Sequence, residues 1–160
     1  MLQWLIFRSF WFCFLMLDRL YRTYETEMTD TETLSDSSRF IEFHRNNLLL
    51  PMWQLRPDAV EIMVMVSMFL WNPNFCFGGL SDATRSLGMQ IRAQVFDELN
   101  AHYVSAGRSN YAWRVAAMMD IATVIHGVTM RKREDIAVLR VFDAINSSCV
   151  AYLFDIGTAP

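Results

Sequence analysis

Residues 57–71 combine an almost unbroken run of apolar side chains with signals that start and stop a helix. Pro57 suits the first helical position, and Asp58 and Glu61 place acid near the positive end of the helix dipole. Asn72-Pro73 ends the pattern because proline cannot continue the hydrogen-bond ladder. A helix that is apolar all round is buried on all sides. We therefore predict the middle layer of a helical sandwich, and the β-branched content leaves a buried strand as the alternative.

The first 22 residues carry apolar and aromatic side chains around most of a helix circumference, and they predict one helix over 2–22. Residues 1–17 also fit a membrane anchor. Arg8 interrupts that run, however, and the run is short for a membrane span. We favour a buried helix, and because the chain begins inside apolar sequence, we expect earlier helices to be missing.

Further helices follow, separated by polar turns. Residues 23–39 are rich in Thr, Ser, Glu and Asp and predict a polar flexible loop. One or two short helices are expected within 40–55. Ser81 is a natural N-cap for an amphipathic helix that runs to about Val104. The apolar positions of that helix recur every fourth residue at Leu87, Ile91, Val95 and Leu99.

A helix is also predicted from Tyr111 to about Met130, with Ser109 or Asn110 as its cap. Small residues on it permit close approach by another helix: Ala112, Ala116, Ala117 and Ala122. The basic cluster 131–133 is interpreted as the end of this helix, and one more helix is expected to follow. The predicted fold class is therefore all-α, in a single domain.

The composition excludes several classes of function but does not identify one. Of the 160 residues, 53% are hydrophobic, so either much of the surface is buried or some of it faces a ligand, a partner or a missing part of the protein. The net charge of −3 gives no electrostatic case for direct nucleic-acid binding. The three cysteines are scattered, and the three histidines are not spaced like metal ligands. Phosphate-binding loops and hydrolase or metalloprotease motifs are absent, so we predict no enzyme, metal site or cofactor.

Several segments, taken in order, resemble the ligand-binding domain of nuclear hormone receptors. Residues 3–23 resemble its fourth and fifth helices, with a Gln, an apolar pair before a basic residue, a Trp and a late Arg at the family's positions. Residues 58–73 look like its eighth helix, and Gly79-Leu80-Ser81 matches the opening of the ninth. Leu99–Tyr103 and Tyr111-Ala112 resemble the end of the ninth helix and the start of the tenth. The resemblance implies a three-layer helical sandwich.

The resemblance also implies a lipophilic ligand and a coregulator groove. The ligand would contact six residues of the first helix: Trp11, Phe12, Leu15, Met16, Arg19 and Arg22. Arg22 falls where many members hold a carboxylate or phenol oxygen of the ligand. Its alternative role is to pair with an acid or a backbone carbonyl near the loop. The groove for LxxLL-type coregulator helices would include Gln3, Trp4 and Arg8.

Departures from the family pattern shape the remaining expectations. Glu61 normally pairs with an arginine at the start of the tenth helix; Asn110 holds that place here, so Arg108 or Arg114 is expected to substitute. The family's first three helices are expected to be missing. Residues 152–156 are the candidate activation helix.

The resemblance further implies a nuclear protein in transcription regulation that dimerises with itself or another receptor through residues 81–130. No zinc-finger cysteine pairs occur in the chain, so we expect it to bind no nucleic acid directly. Two alternatives stay open. One is a membrane-associated helical protein anchored by residues 1–17, and the other is a non-functional receptor fragment.

Overall fold

The computed structural model describes residues 2–27, 45–72 and 81–142, without the side chains of 2–9, 23–27, 139 and 140. The regular secondary structure of the described residues is all helical, as predicted. Its α-helices are α1 (Leu2–Glu27), α2 (Leu50–Leu55), α3 (Ala59–Leu70), α4 (Asp82–Ser105) and α5 (Ala112–Val141).

Helix α3, the predicted central helix, contacts α1, α4 and α5. A reciprocal cap fixes its start. The Asp58 carboxylate accepts a hydrogen bond of 3.0 Å from the Glu61 N–H, and the Glu61 carboxylate accepts one of 2.8 Å from the Asp58 N–H. Asp58 is therefore the N-cap, and Pro57 precedes it instead of occupying the first helical position.

The prediction that this helix is buried on all sides is wrong for one face. Met65 and Phe69 are buried in the core, but Val60 is 39% and Met63 62% exposed. An apolar side chain permits burial without requiring it. The neighbouring helices decide which face is covered, and α1, α4 and α5 leave this one open.

Helix α1 extends beyond its predicted end to Glu27, so the first five residues of the predicted polar loop are helical. The rest of that loop lies outside the described residues. The buried face of α1 consists of Cys13, Leu17 and Leu20, which lie in the hydrophobic core with α3 and α5. Downstream, a π-helical turn (Arg45–Leu49) leads into α2, which matches the short helices expected there.

Ser81 caps α4 as predicted, because its Oγ accepts a hydrogen bond of 3.2 Å from the Thr84 N–H. Gly107, with φ of 67°, ends the helix, and the Arg108 N–H then donates to the Tyr103 carbonyl at 2.9 Å. The predicted apolar face of α4 is only partly covered. Leu99 is buried, whereas Leu87 is 50% exposed, so this face is less covered near the start of the helix than near its end.

Helix α5 is one continuous helix, so the predicted break at 131–133 is wrong. Neither proline nor glycine occurs between Val128 and Val141, and a basic cluster alone does not interrupt the hydrogen-bond ladder. The predicted cap is wrong as well. The Tyr111 carbonyl accepts the first helical hydrogen bond, from the Val115 N–H at 3.2 Å, so Tyr111 precedes the first turn.

Candidate functional site

A buried carboxylate joins three helices near the start of α3. Glu61 is fully buried, and its two carboxylate oxygens accept hydrogen bonds from Arg114 Nε and Nη2 of α5, at 2.6 and 2.7 Å. The Tyr103 hydroxyl of α4 donates to the same carboxylate at 2.6 Å. Arg114, rather than Arg108, therefore forms the bidentate pair with Glu61. The distance from Arg108 Nη1 to Glu61 Oε1 is 3.9 Å.

Asp58 extends this network to the surface. Its carboxylate lies 3.0 Å from His102 Nε2 and accepts a hydrogen bond of 3.3 Å from Arg108 Nη1. Arg114 Nη2 also donates to the Arg56 carbonyl at 3.2 Å, which fixes the turn between α2 and α3. The network therefore fastens the start of α3 to the C-terminal half of α4 and to the first turn of α5.

The hydrogen bonds of this network favour the ionised form of the Glu61 carboxylate. Burial raises the pKa of Glu61, but hydrogen bonds from Arg114 and Tyr103 outweigh that effect and leave the pKa below its ordinary value. Burial and the hydrogen bond to Glu61 raise the pKa of Tyr103. A carboxylate surrounded by donors on both oxygens holds the helices together, and this geometry suits a structural role rather than proton transfer.

The residues predicted to contact a ligand lie mostly on the side of α1 turned away from the core. Trp11, Leu15 and Arg22 are spaced by four and seven residues, so they share one face, opposite the buried Cys13 and Leu17. Leu15 is 40% exposed, and Trp11 is half-buried and stacks on Phe14 with ring centroids 5.9 Å apart. We name the surface of Trp11, Leu15 and Arg22 the outer face of α1.

Two cations of α5 that were predicted to lie at a helix end contact α1 on the flank between its outer face and α5. Lys132 Nζ donates a hydrogen bond of 3.5 Å to Met16 Sδ, and the Arg133 guanidinium lies 5.4 Å from the centre of the Phe12 ring. Burial lowers the pKa of Lys132, and the charge of Arg19 lowers it further. The helical periodicity that continues past residue 133 was the signal that could have placed them on α5.

Arg22 has an acidic partner on its own helix. Its Nε donates to the two Asp18 carboxylate oxygens at 3.1 and 3.0 Å, and the Arg22 side chain is 76% exposed. This contact corresponds to the second role considered for Arg22. The predicted groove residues Gln3, Trp4 and Arg8 lie on α1, but their side chains are outside the described part of the chain, as is the whole candidate activation helix 152–156.

The comparisons with known proteins decide the family. A family model described as the ligand-binding domain of nuclear hormone receptor matches residues 25–142. The chain belongs to this family. It is also 22% identical, over 102 residues, to nuclear hormone receptor family member nhr-213 of Caenorhabditis elegans. That alignment covers 63% of this chain and 24% of the relative, so the chain spans about a quarter of the relative's length. No solved structure matches at a significant level.

Membership in the ligand-binding domain family places the five helices in a known type of helical fold and makes the chain receptor-like; the family is generally non-enzymatic. The family match begins at residue 25, so it includes Glu61, Arg108 and Arg114 but not the residues of the outer face of α1. Among the described helices, none is both long enough and apolar enough to cross a bilayer.

Proposed function

We propose that this chain regulates transcription in the nucleus as a ligand-binding-domain module that binds a lipophilic ligand along the outer face of α1. The observation that carries the proposal is the exposure of this face. Leu15 is 40% exposed, although it lies on the helix that packs on the core through Cys13 and Leu17. An apolar side chain left open beside half-buried aromatic residues is the kind of surface that lipophilic ligands cover.

The ligand proposed here carries an acidic head. Lys132 and Arg133 of α5 approach Met16 and Phe12, which lie on the flank of the outer face that turns toward α5. Positive charge at this flank favours a carboxylate or phenolate there, with the apolar tail along Leu15. Arg19 adds a third cation on α1, and Arg22, at the far end of the same face, is a second candidate for the head.

A fluorescent fatty acid and the fatty alcohol of equal length test this assignment by fluorescence titration. The acid is expected to bind the full chain more tightly than the alcohol. Leu15→Glu is expected to weaken acid binding at least tenfold, because it places a like charge on the apolar face. Met63→Glu is the matched control, since Met63 is 62% exposed on another helix. Equal losses in both variants, or none in either, would remove the outer face as the site.

The same proposal includes two kinds of protein partner for this chain. We propose that Gln3, Trp4 and Arg8 accept amphipathic coregulator helices, and that residues 81–130 form a homodimer or heterodimer contact with another receptor. Titration with an LxxLL peptide tests the groove: Arg8→Glu should abolish binding, and Arg45→Glu, an exposed charge outside α1, should not. Ala116 is exposed, so a substitution there tests the dimer contact. Ala117 packs partly on the core, so its substitution would also change stability.

A further inference from the structure

Lys132 is the only lysine of the chain, because every other strongly basic side chain is an arginine. It is half-buried on α5, and its Nζ atom donates a hydrogen bond of 3.5 Å to Met16 Sδ of α1. Met16 directly follows Leu15, which is 40% exposed on the outer face of α1. The single side-chain amine of the protein therefore lies at the edge of an exposed apolar surface.

The surroundings of this amine favour its neutral form. Burial lowers the pKa of Lys132, and the charge of Arg19 lowers it further. Arg133 adds a second positive charge on the same flank, with its guanidinium 5.4 Å from the centre of the Phe12 ring. The sulfur of Met16 is a weak, uncharged acceptor, so it stabilises an ammonium less than a carboxylate would. A desolvated lysine near another cation is a nucleophile, because the neutral amine has a lone pair.

We propose that Lys132 binds a lipophilic aldehyde covalently, as an imine, with the apolar tail of the aldehyde along the outer face of α1. The lone pair of Nζ attacks the carbonyl carbon, which forms the N–C bond of a carbinolamine. The carbonyl oxygen then leaves as water with the two protons that Nζ loses, and a C=N double bond remains. The reaction needs neither an oxidant nor a reductant, and water reverses it.

An aldehyde suits this place because its reactive group is uncharged and can approach an apolar surface without the loss of a charged hydration shell. Its tail supplies the contacts that hold it before the bond forms. An arginine cannot replace the lysine, since a guanidinium is not deprotonated in proteins. This inference deepens the proposed ligand binding and rests on the outer face of α1 as its site.

Reductive labelling of the full chain with dodecanal and cyanoborohydride tests the inference. Reduction of the imine leaves a stable secondary amine, which adds the mass of dodecanal less one oxygen atom. Peptide mapping by mass spectrometry separates Lys132 from the α-amino group of the chain. An ordinary lysine reacts more slowly than an α-amino group because its pKa is higher. We expect Lys132 to be labelled at least tenfold faster than the α-amino group, and at least tenfold more slowly with propanal, which lacks a long tail.

A double variant provides a matched comparison, because R131K/K132R moves the only lysine to an exposed neighbouring position and keeps the net charge. Its lysine should be labelled by dodecanal at least tenfold more slowly than Lys132. Leu15→Glu should slow the labelling of Lys132 by a similar factor, and Met63→Glu, on another helix, should not. Circular dichroism should show unchanged helix content in every variant. Equal labelling of wild type and double variant, or equal labelling by propanal and dodecanal, would overturn the inference.

Fatty-acid titration of the wild type and of Leu15→Glu separates this inference from the proposed function. Fatty-acid binding that Leu15→Glu weakens, together with a Lys132 that dodecanal leaves unmodified, would overturn the inference and leave the proposed function in place. A wild type that retains neither the acid nor dodecanal would overturn both.

Discussion

Arg114 binds Glu61 through two hydrogen bonds of 2.6 and 2.7 Å that join residues 53 positions apart in the chain. The pair connects α5 to α3, and both side chains are largely withdrawn from water, with exposures of 14% and 0%. Both residues lie within 25–142, the segment that matches the family model.

Arg114→Ala is expected to lower the free energy of unfolding by about 3–5 kcal/mol, because it leaves the Glu61 carboxylate buried without its charged partner. Urea unfolding followed by circular dichroism measures this change. Arg108→Ala is the matched control, since the Arg108 side chain is 42% exposed and its bond to Asp58 is longer. A loss for Arg114→Ala no greater than for Arg108→Ala would contradict the structural role assigned to the buried pair.

Tyr103→Phe removes the hydroxyl that donates to Glu61 at 2.6 Å and keeps the ring that stacks on Tyr111 with centroids 4.7 Å apart. The expected cost is about 1.5–3 kcal/mol, the usual range for a hydrogen bond to a charged group. Combining Tyr103→Phe with Arg114→Ala should give less than the sum of the two losses, because both act on one carboxylate. Strict additivity in the same urea experiment would argue against a shared network.

Stability is expected to fall in acid. Burial raises the pKa of Asp58, but the hydrogen bond from the Glu61 N–H and the contact with His102 outweigh it, so this pKa, like that of Glu61, lies below its ordinary value. A carboxylate whose pKa is lower in the folded state than in the unfolded state stabilises the fold at pH values above its unfolded-state pKa. This contribution is lost as the pH falls through the folded-state pKa. The ordinary values are 3.8 and 4.5, so the loss should begin below 4.5.

Melting temperatures measured along a pH series check this behaviour. Glu61→Gln should lower stability at neutral pH and flatten the acid limb of the profile, since an amide cannot titrate there. Glu98→Gln, an exposed change on α4, should leave the shape of the profile unchanged. An acid limb as steep in Glu61→Gln as in the wild type would assign the pH dependence to other groups.

Two glycine substitutions are expected to have opposite signs. Gly127 is exposed inside α5 with open space around it, so Gly127→Ala should stabilise the monomer by about 0.5–1 kcal/mol through the lower flexibility of the unfolded chain. Gly107 has φ of 67°, and Gly107→Ala should destabilise by roughly 1–2 kcal/mol because a Cβ atom is strained in that conformation. Unfolding at a concentration where the chain is monomeric compares them, and equal signs would contradict this assignment.

The local signals in the sequence were sufficient for much of the fold. The Ser81 cap and the existence of a helix after Asp58 depend on residues within one turn of each other, so the sequence alone determined them. The all-α class followed from the same signals. The resemblance also identified Glu61 and narrowed its partner to Arg108 or Arg114.

Tertiary structure decided the rest. Whether Arg114 or Arg108 reached Glu61 depended on how α5 packs on α3, and the exposure of Met63 depended on which helices cover α3. The placement of Lys132 beside Met16 joins positions 116 residues apart. Local sequence fixes where a helix begins and ends because its hydrogen bonds span four residues, whereas the burial of a face depends on contacts between distant parts of the chain, which only packing supplies.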